Sequence, residues 1–334
     1  VRSAGVLKLK NKSNKPIDSV LLDWPSTVKV NRLDFAGYSN LIFKDSIQGF
    51  HIYKLKSSLL PGDSINLNFD FVLQTKGFEN EMSGTAVVYN GSFIHNQLIT
   101  PSIGYNSDAE LSDRAKRRKN GLKPKERMAS VNDSIARMNT YIGDDGDWID
   151  FESTVSTSAD QIAIAPGYLQ KEWTVGNRRY FSYKMDSKIL NFYSFLSARY
   201  AVKKDKWKDV SSGKEVNLEI YYHPGHDYNL DKMMKGMKAS LDYFTKNFSP
   251  YQHKQVRIIE FPRYASFAQS FPNTIPYSES IGFIANLKDE KDIDYVYYVT
   301  AHEVAHQWWA HQVIGGNVQG STVMSETMSQ YSAL

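Results

Sequence analysis

The sequence predicts an α+β chain: an N-terminal antiparallel β-sandwich over residues 1–213, then a mixed domain over residues 214–334 that is incomplete at its C-terminal end. Three observations carry that expectation. Short segments of alternating polarity, divided by turn residues, fill the first two hundred positions. After Ser211-Ser212-Gly213 the apolar period lengthens to that of amphipathic helices. Near the end stands His302-Glu303-Val304-Ala305-His306, with two histidines one helical turn apart.

The first strands read at residues 6–9 and at Ser64-Ile65-Asn66-Leu67-Asn68-Phe69-Asp70-Phe71, which follows the turn Pro61-Gly62-Asp63. Apolar residues at every second position line one face of a pleated ribbon, and two such faces bury each other as a sandwich. Further strands are expected at 86–89, 161–165 and 180–183. Residues 109–127 interrupt the pattern with eight Arg or Lys against three acids, a solvated helical excursion. Gly143-Asp144-Asp145-Gly146-Asp147 lacks the spaced ligands of a calcium loop and reads as a plain turn.

Beyond residue 213 a strand is expected at 216–222, then a helix at 230–247 with Met233, Met237, Leu241 and Phe244 on one face. A strand at 256–261 and a loop rich in Ser, Pro and Asn lead to a helix at 289–312, which Gly315-Gly316 terminates.

Composition bounds the function. With 334 residues, 41% of them hydrophobic, the chain can build two cores. A formal charge of +4 is small for this size and no nucleic-acid motif accompanies it, so no DNA or RNA partner is expected. The absence of cysteine excludes disulfides and thiolate metal ligands. No apolar run reaches the ~18 residues of a membrane helix, and no signal peptide is visible. The chain stops at Leu334 inside a helical run, so the sequence reads as a piece of something longer.

Histidines at i and i+4 can both reach one metal ion, and zinc in a catalytic site takes three protein ligands and a water. Glu326, twenty residues beyond His306, is the candidate third ligand, carried on a second helix starting near Ser321. Glu303 lies roughly 100° around the helix from His302, which turns it from the metal toward the water as general base and later proton donor to the leaving amine. The order strand, helix, strand, loop and metal helix suggests a truncated thermolysin-like zinc peptidase domain over residues 214–334. His311 falls off the ligand face and reads as a helix-end residue at the negative end of the dipole. His223 and His226 flank Pro224-Gly225 and read as a turn.

The string His302-Glu303-Val304-Ala305-His306-Gln307-Trp308-Trp309, with Glu326, resembles the aminopeptidase N-like zinc metallopeptidases, which include the leukotriene hydrolases. Upstream, Pro276-Tyr277-Ser278-Glu279-Ser280-Ile281-Gly282-Phe283-Ile284 is similar to the family's exopeptidase loop, Gly-Ala-Met-Glu-Asn followed by an aromatic residue and glycine. The resemblance implies zinc on His302, His306 and Glu326, with Glu303 as base. It also implies Glu279 on the α-amine of a peptide substrate, and the backbone of Pro276, Tyr277 and Ser278 facing that peptide as a strand edge.

Three departures stand beside the likeness. The family's eighteen residues between second histidine and glutamate become nineteen here, Gln307 to Ser325, with the extra residue assigned to the loop around Gly315-Gly316-Asn317. Pro276 replaces the glycine that opens the exopeptidase loop. The family's oxyanion-stabilising tyrosine is expected past residue 334, since Tyr331 follows Glu326 too closely.

The same motif also resembles the peptidase domain of bacterial membrane proteins linked to ABC-transporter permease segments. That likeness implies an extracytoplasmic, membrane-associated location, with spanning segments outside this sequence. The expected activity is that of a zinc aminopeptidase. The rivals are an endopeptidase, in which Glu279 is incidental, and a non-catalytic peptide-binding or structural module of a transporter that retains the zinc site.

Overall fold

A computed structural model of the chain describes residues 1–45, 49–75, 84–106, 110–125, 128–143, 145–287 and 293–334. The chain packs as two compact units, one made of Val1–Gly84, His95–Ala129 and Ile142–Gly146, the other of Thr85–Ile94, Ser130–Tyr141 and Asp147–Leu334. Residues 147–213, grouped by local pattern with the first domain, pack in the same unit as residues 214–334.

In the first unit, Ser64–Leu73 runs antiparallel between Arg2–Lys10 and Val28–Asp34. A second antiparallel sheet holds Ser39–Lys44, His51–Leu59, Ile17–Asp23 and Ser102–Ile103 in that order. The alternation does what the period promised: Leu67, Phe69, Phe71 and Leu73 are buried while their neighbours are not. Leu67 meets Val20, Leu22 and Leu55 of the second sheet in one core. The basic stretch forms a short helix, Arg114–Lys119, with no buried residue and Asp113 as its cap, accepting from Lys116 N at 2.7 Å. Residues 109, 126 and 127 of that stretch, and Asp144 of the acidic turn, lie outside the described residues.

The second unit is organised around a four-stranded sheet, Ala201–Lys208, Glu215–Tyr222, Gln255–Phe261 and Thr274–Ser278 in spatial order. The first pair is antiparallel and the other two pairs are parallel. Strands covered on both faces carry near-continuous apolar runs, and every residue of Gln255–Phe261 is buried. One face receives Met233, Met237, Leu241 and Phe244 of the helix Leu230–Asn247, together with Val296, Val304 and Trp308. The other receives Phe93, Leu196 and Ala198 against Ile259 and Phe261.

The helix Tyr295–Ala305 is capped by Asp294, whose side chain accepts from Tyr297 N at 3.1 Å. It crosses Leu230–Asn247 at Gly236, where a Cβ would stand 3.1 Å from Thr300 Cγ2. The expected helix over 289–312 is therefore regular only to Ala305, and residues 289–292 lie outside the described residues. Past Ala305 the chain keeps turning with wider bonds, His311 N to His306 O at 3.1 Å and Val313 N to Trp308 O at 2.9 Å.

Candidate metal centre

His302 sits in the last turn of Tyr295–Ala305 and His306 just after it, still in helical conformation, so the two imidazoles share one face, edge to face at 86°. Their Nε2 atoms are 3.1 Å apart, and Glu326 Oε2 stands 3.6 Å from each. Donors around a tetrahedral zinc ion lie about 3.3 Å from one another, so the triangle has the size the ion needs. His306 Nδ1 lies 3.2 Å from the Trp309 carbonyl and 3.0 Å from Ser329 Oγ. A proton held at Nδ1 leaves Nε2 as a lone pair. The set of two imidazoles and a carboxylate is that of a catalytic zinc site.

Glu303 is buried beside this triangle, and its Oε2 has no hydrogen-bond partner. Burial pushes its carboxyl up to about 7, against the pull of His306 and His302. Glu326 is held far below the ordinary carboxylate range, by hydrogen bonds from His302 and then His306. Burial pulls His306 down, but Glu326 and Glu303 outweigh it and the net direction is upward. The two carboxylates of the centre are thus shifted in opposite directions, Glu326 downward and Glu303 upward.

Glu326 lies in a π-turn, Val323–Thr327, that runs into the helix Met328–Ser332. A π-turn is an α-helix with one residue inserted, so the backbone widens at Glu326 itself. The Gly315-Gly316-Asn317 loop is closely packed. A Cβ at Gly315 would stand 2.8 Å from Ser321 Cβ, and Asn317 N donates to Asn139 O at 2.8 Å. The same segment brings Tyr141, whose hydroxyl is 2.5 Å from Ser325 Oγ, next to Glu326 in sequence. Burial, and after it the charge of Glu326, raise the Tyr141 pKa.

Glu279 follows the edge strand Thr274–Ser278 and is buried, with Arg263 Nε at 3.7 Å. It lies beside His226 and Glu260, not among the three donors above. Pro276, Tyr277 and Ser278 are buried too, and the expectation that their backbone offers a free edge is corrected here. Residues 267–271 already pair with that edge: Gln269 N donates to Pro276 O and Ser278 N to Phe267 O, both at 3.0 Å. The Pro272-Asn273 turn between the two segments makes this possible, Asn273 taking the left-handed φ of 51° that asparagine tolerates. Gln307, directly after the metal motif, clamps the turn by donating to Ser270 Oγ at 2.6 Å and accepting from Asn273 N at 2.9 Å.

His311 is also corrected. It is buried, its Nε2 lies 3.0 Å from Ser270 O, and burial pushes it down to about 4, so it is a neutral core residue and not a charged helix end. His223 and His226 do form a turn, His226 N donating to His223 O at 2.9 Å.

No protein-family profile matches the sequence, and no curated protein does. Solved structures do. The chain is similar to an M1 zinc metallopeptidase from Deinococcus radiodurans in a complex with a Tyr-Ser-Ala substrate, with 14% identity and a TM-score of 0.64 over 99% of this chain and 66% of that one. It is also similar to Legionella pneumophila aminopeptidase A, with 12% identity and a TM-score of 0.66 over 99% of this chain and 35% of that one. The chain thus spans about two thirds of the first protein and about one third of the second. At such identities the likeness is one of fold: this chain has the fold of M1 zinc metallopeptidases.

Proposed function

We propose that the chain carries the active centre of a zinc-dependent peptidase that removes residues from the free amino terminus of peptides. The observation that carries this reading is the triangle of His302, His306 and Glu326 with the buried, unpartnered Glu303 beside it. A bound zinc ion supplies Lewis acidity toward the peptide carbonyl and the attacking water. Glu303 takes the water's proton at its carboxylate and returns it to the leaving amine. Glu279 holds the α-ammonium. The sequence of strand, helix, strand, edge strand and metal helix supports a thermolysin-like domain around this centre.

The test is Glu303→Gln in the whole protein. Zinc content is expected to persist while peptide hydrolysis falls by ~10²–10⁴-fold, the usual contribution of a positioned base. Near-parental turnover in the zinc-replete variant would refute the role.

An endopeptidase is the second reading, favoured by Pro276 in the loop and by the placement of Glu279 beside His226 and Glu260. For the whole protein we propose a bacterial membrane-attached location with this chain on the outer side, supported by the motif's likeness to transporter-linked peptidases. No described helix is long and apolar enough to cross a membrane. Protease added to intact cells should digest the chain, and complete protection would count against that location.

A further inference from the structure

We propose that His226, Glu260 and Glu279 form a second divalent-cation site, separate from the one built by His302, His306 and Glu326. One donor atom from each of the three lies within 4.8 Å of the others, a spread that a cation ~2.0–2.2 Å from each can gather with small side-chain movements.

The sheet explains the convergence. Glu215–Tyr222, Gln255–Phe261 and Thr274–Ser278 are neighbours running parallel, with Glu260 opposite Tyr277 and Phe261 opposite Ser278. Glu260 stands at the carboxyl end of the middle strand, Glu279 just past the end of one neighbour, and His226 in the turn after the other. Ligands of sheets with parallel strands bind at that end.

Charge points the same way. The Glu260 side chain is fully buried and that of Glu279 is 9% exposed. Glu260 accepts from His226 Nδ1 at 2.5 Å and from His223 N at 2.6 Å, which satisfies it as a turn anchor. That bland role does not involve Glu279, whose own ion pair is with Arg263 at 3.7 Å, a side chain 67% exposed. Burial pushes the Glu260 carboxyl upward, and the hydrogen bonds pull it back only in part. His223 Nε2 is buried without a hydrogen-bond partner, on a ring 5.8 Å from that of His226. Carboxylates and imidazoles without sulfur suit zinc or manganese. A cation here would compete with a substrate ammonium for Glu279; that consequence rests on the aminopeptidase reading, whereas cation binding does not.

Zinc binding to the metal-stripped full chain, measured by equilibrium dialysis with elemental analysis, tests the proposal. We expect two equivalents in the parent, one after His226→Ala with Glu260→Gln, one after His302→Ala with His306→Ala, and none after all four. A parent binding one equivalent that disappears with His302→Ala and His306→Ala overturns the second site and leaves the peptidase centre standing. One equivalent lost only with His226→Ala and Glu260→Gln supports the second site and removes the basis of the peptidase reading. Because exchange of the buried Glu260 can cost the fold, Glu279→Gln is the second variant. It should weaken the second equivalent at least tenfold with an unchanged circular dichroism spectrum, and unchanged affinity overturns the site.

Discussion

The two histidine–carboxylate clusters are assembled by opposite routes. In one, both imidazoles come from a single helix with Nε2 atoms 3.1 Å apart, and the carboxylate of Glu326, 61% exposed, arrives on a π-turn. In the other, three separate segments contribute, both carboxylates are buried and His226 is 31% exposed. The first largely buries its bases and exposes its acid, whereas the second buries its acids and leaves its base partly exposed. A helix fixes two donors to each other and leaves the third adjustable. A sheet fixes each donor through its own strand, so the second cluster is only as well ordered as the strand ends that hold it.

The largest effect that could break this contrast is at Glu279. If it reads the α-ammonium, Glu279→Ala in the whole protein should cost roughly 2–5 kcal/mol in kcat/KM on free-amine peptides, the range for truncating one member of a buried charge pair. N-acetylated peptides should barely respond. Equal losses on both would separate Glu279 from the peptidase centre and favour the endopeptidase.

Next comes acid stability, which distinguishes histidines placed for ligands from histidines simply buried. Burial pushes His253 down to about 3 and His311 to about 4. Below pH ~6.5 the unfolded chain binds protons that the folded chain refuses, so stability is lost as pH falls, about 3 kcal/mol per histidine by pH 4. His253→Gln should flatten that slope in denaturant melts between pH 7 and 4. An unchanged slope would show that His253 takes up its proton without unfolding.

The smallest concerns the helix cluster. Ser329 Oγ lies 3.0 Å from His306 Nδ1, and outer-shell partners of this kind contribute ~10–100-fold to metal affinity. Ser329→Ala should weaken zinc binding by that factor in competition with a chromophoric chelator. No change would mean that the Trp309 carbonyl alone orients the ring.

What could be read from the sequence was what is local. Ligand spacing on one helix, alternation in Ser64–Leu73 and the helical face of Met233, Met237, Leu241 and Phe244 are all set within a few residues, and Leu230–Asn247 begins and ends where its periodicity does. What escaped depends on non-local register. His226, Glu260 and Glu279 meet only because three strands are parallel and aligned, and nothing near any of them announces it. His311 looked like a helix end because its partner, Ser270, is forty-one residues away. The π-turn at Glu326 left no mark in the sequence. Glycines suggested an open loop at Gly315-Gly316-Asn317, whereas Gly316 sits where a Cβ would meet Arg137 Cα at 3.0 Å.

The pairing of residues 267–271 with Thr274–Ser278 bears on how any peptide could be recognised at this sheet. A ligand that adds itself as a strand must compete with a segment tethered by a two-residue turn, whose effective concentration is on the order of millimolar or above. A micromolar peptide loses that competition if main-chain pairing is all it offers. Recognition along this edge would then rest on contacts that the tethered segment cannot imitate, such as a terminal charge or a carbonyl within reach of a metal, so that selectivity is concentrated at one end of the peptide and dilute along its length.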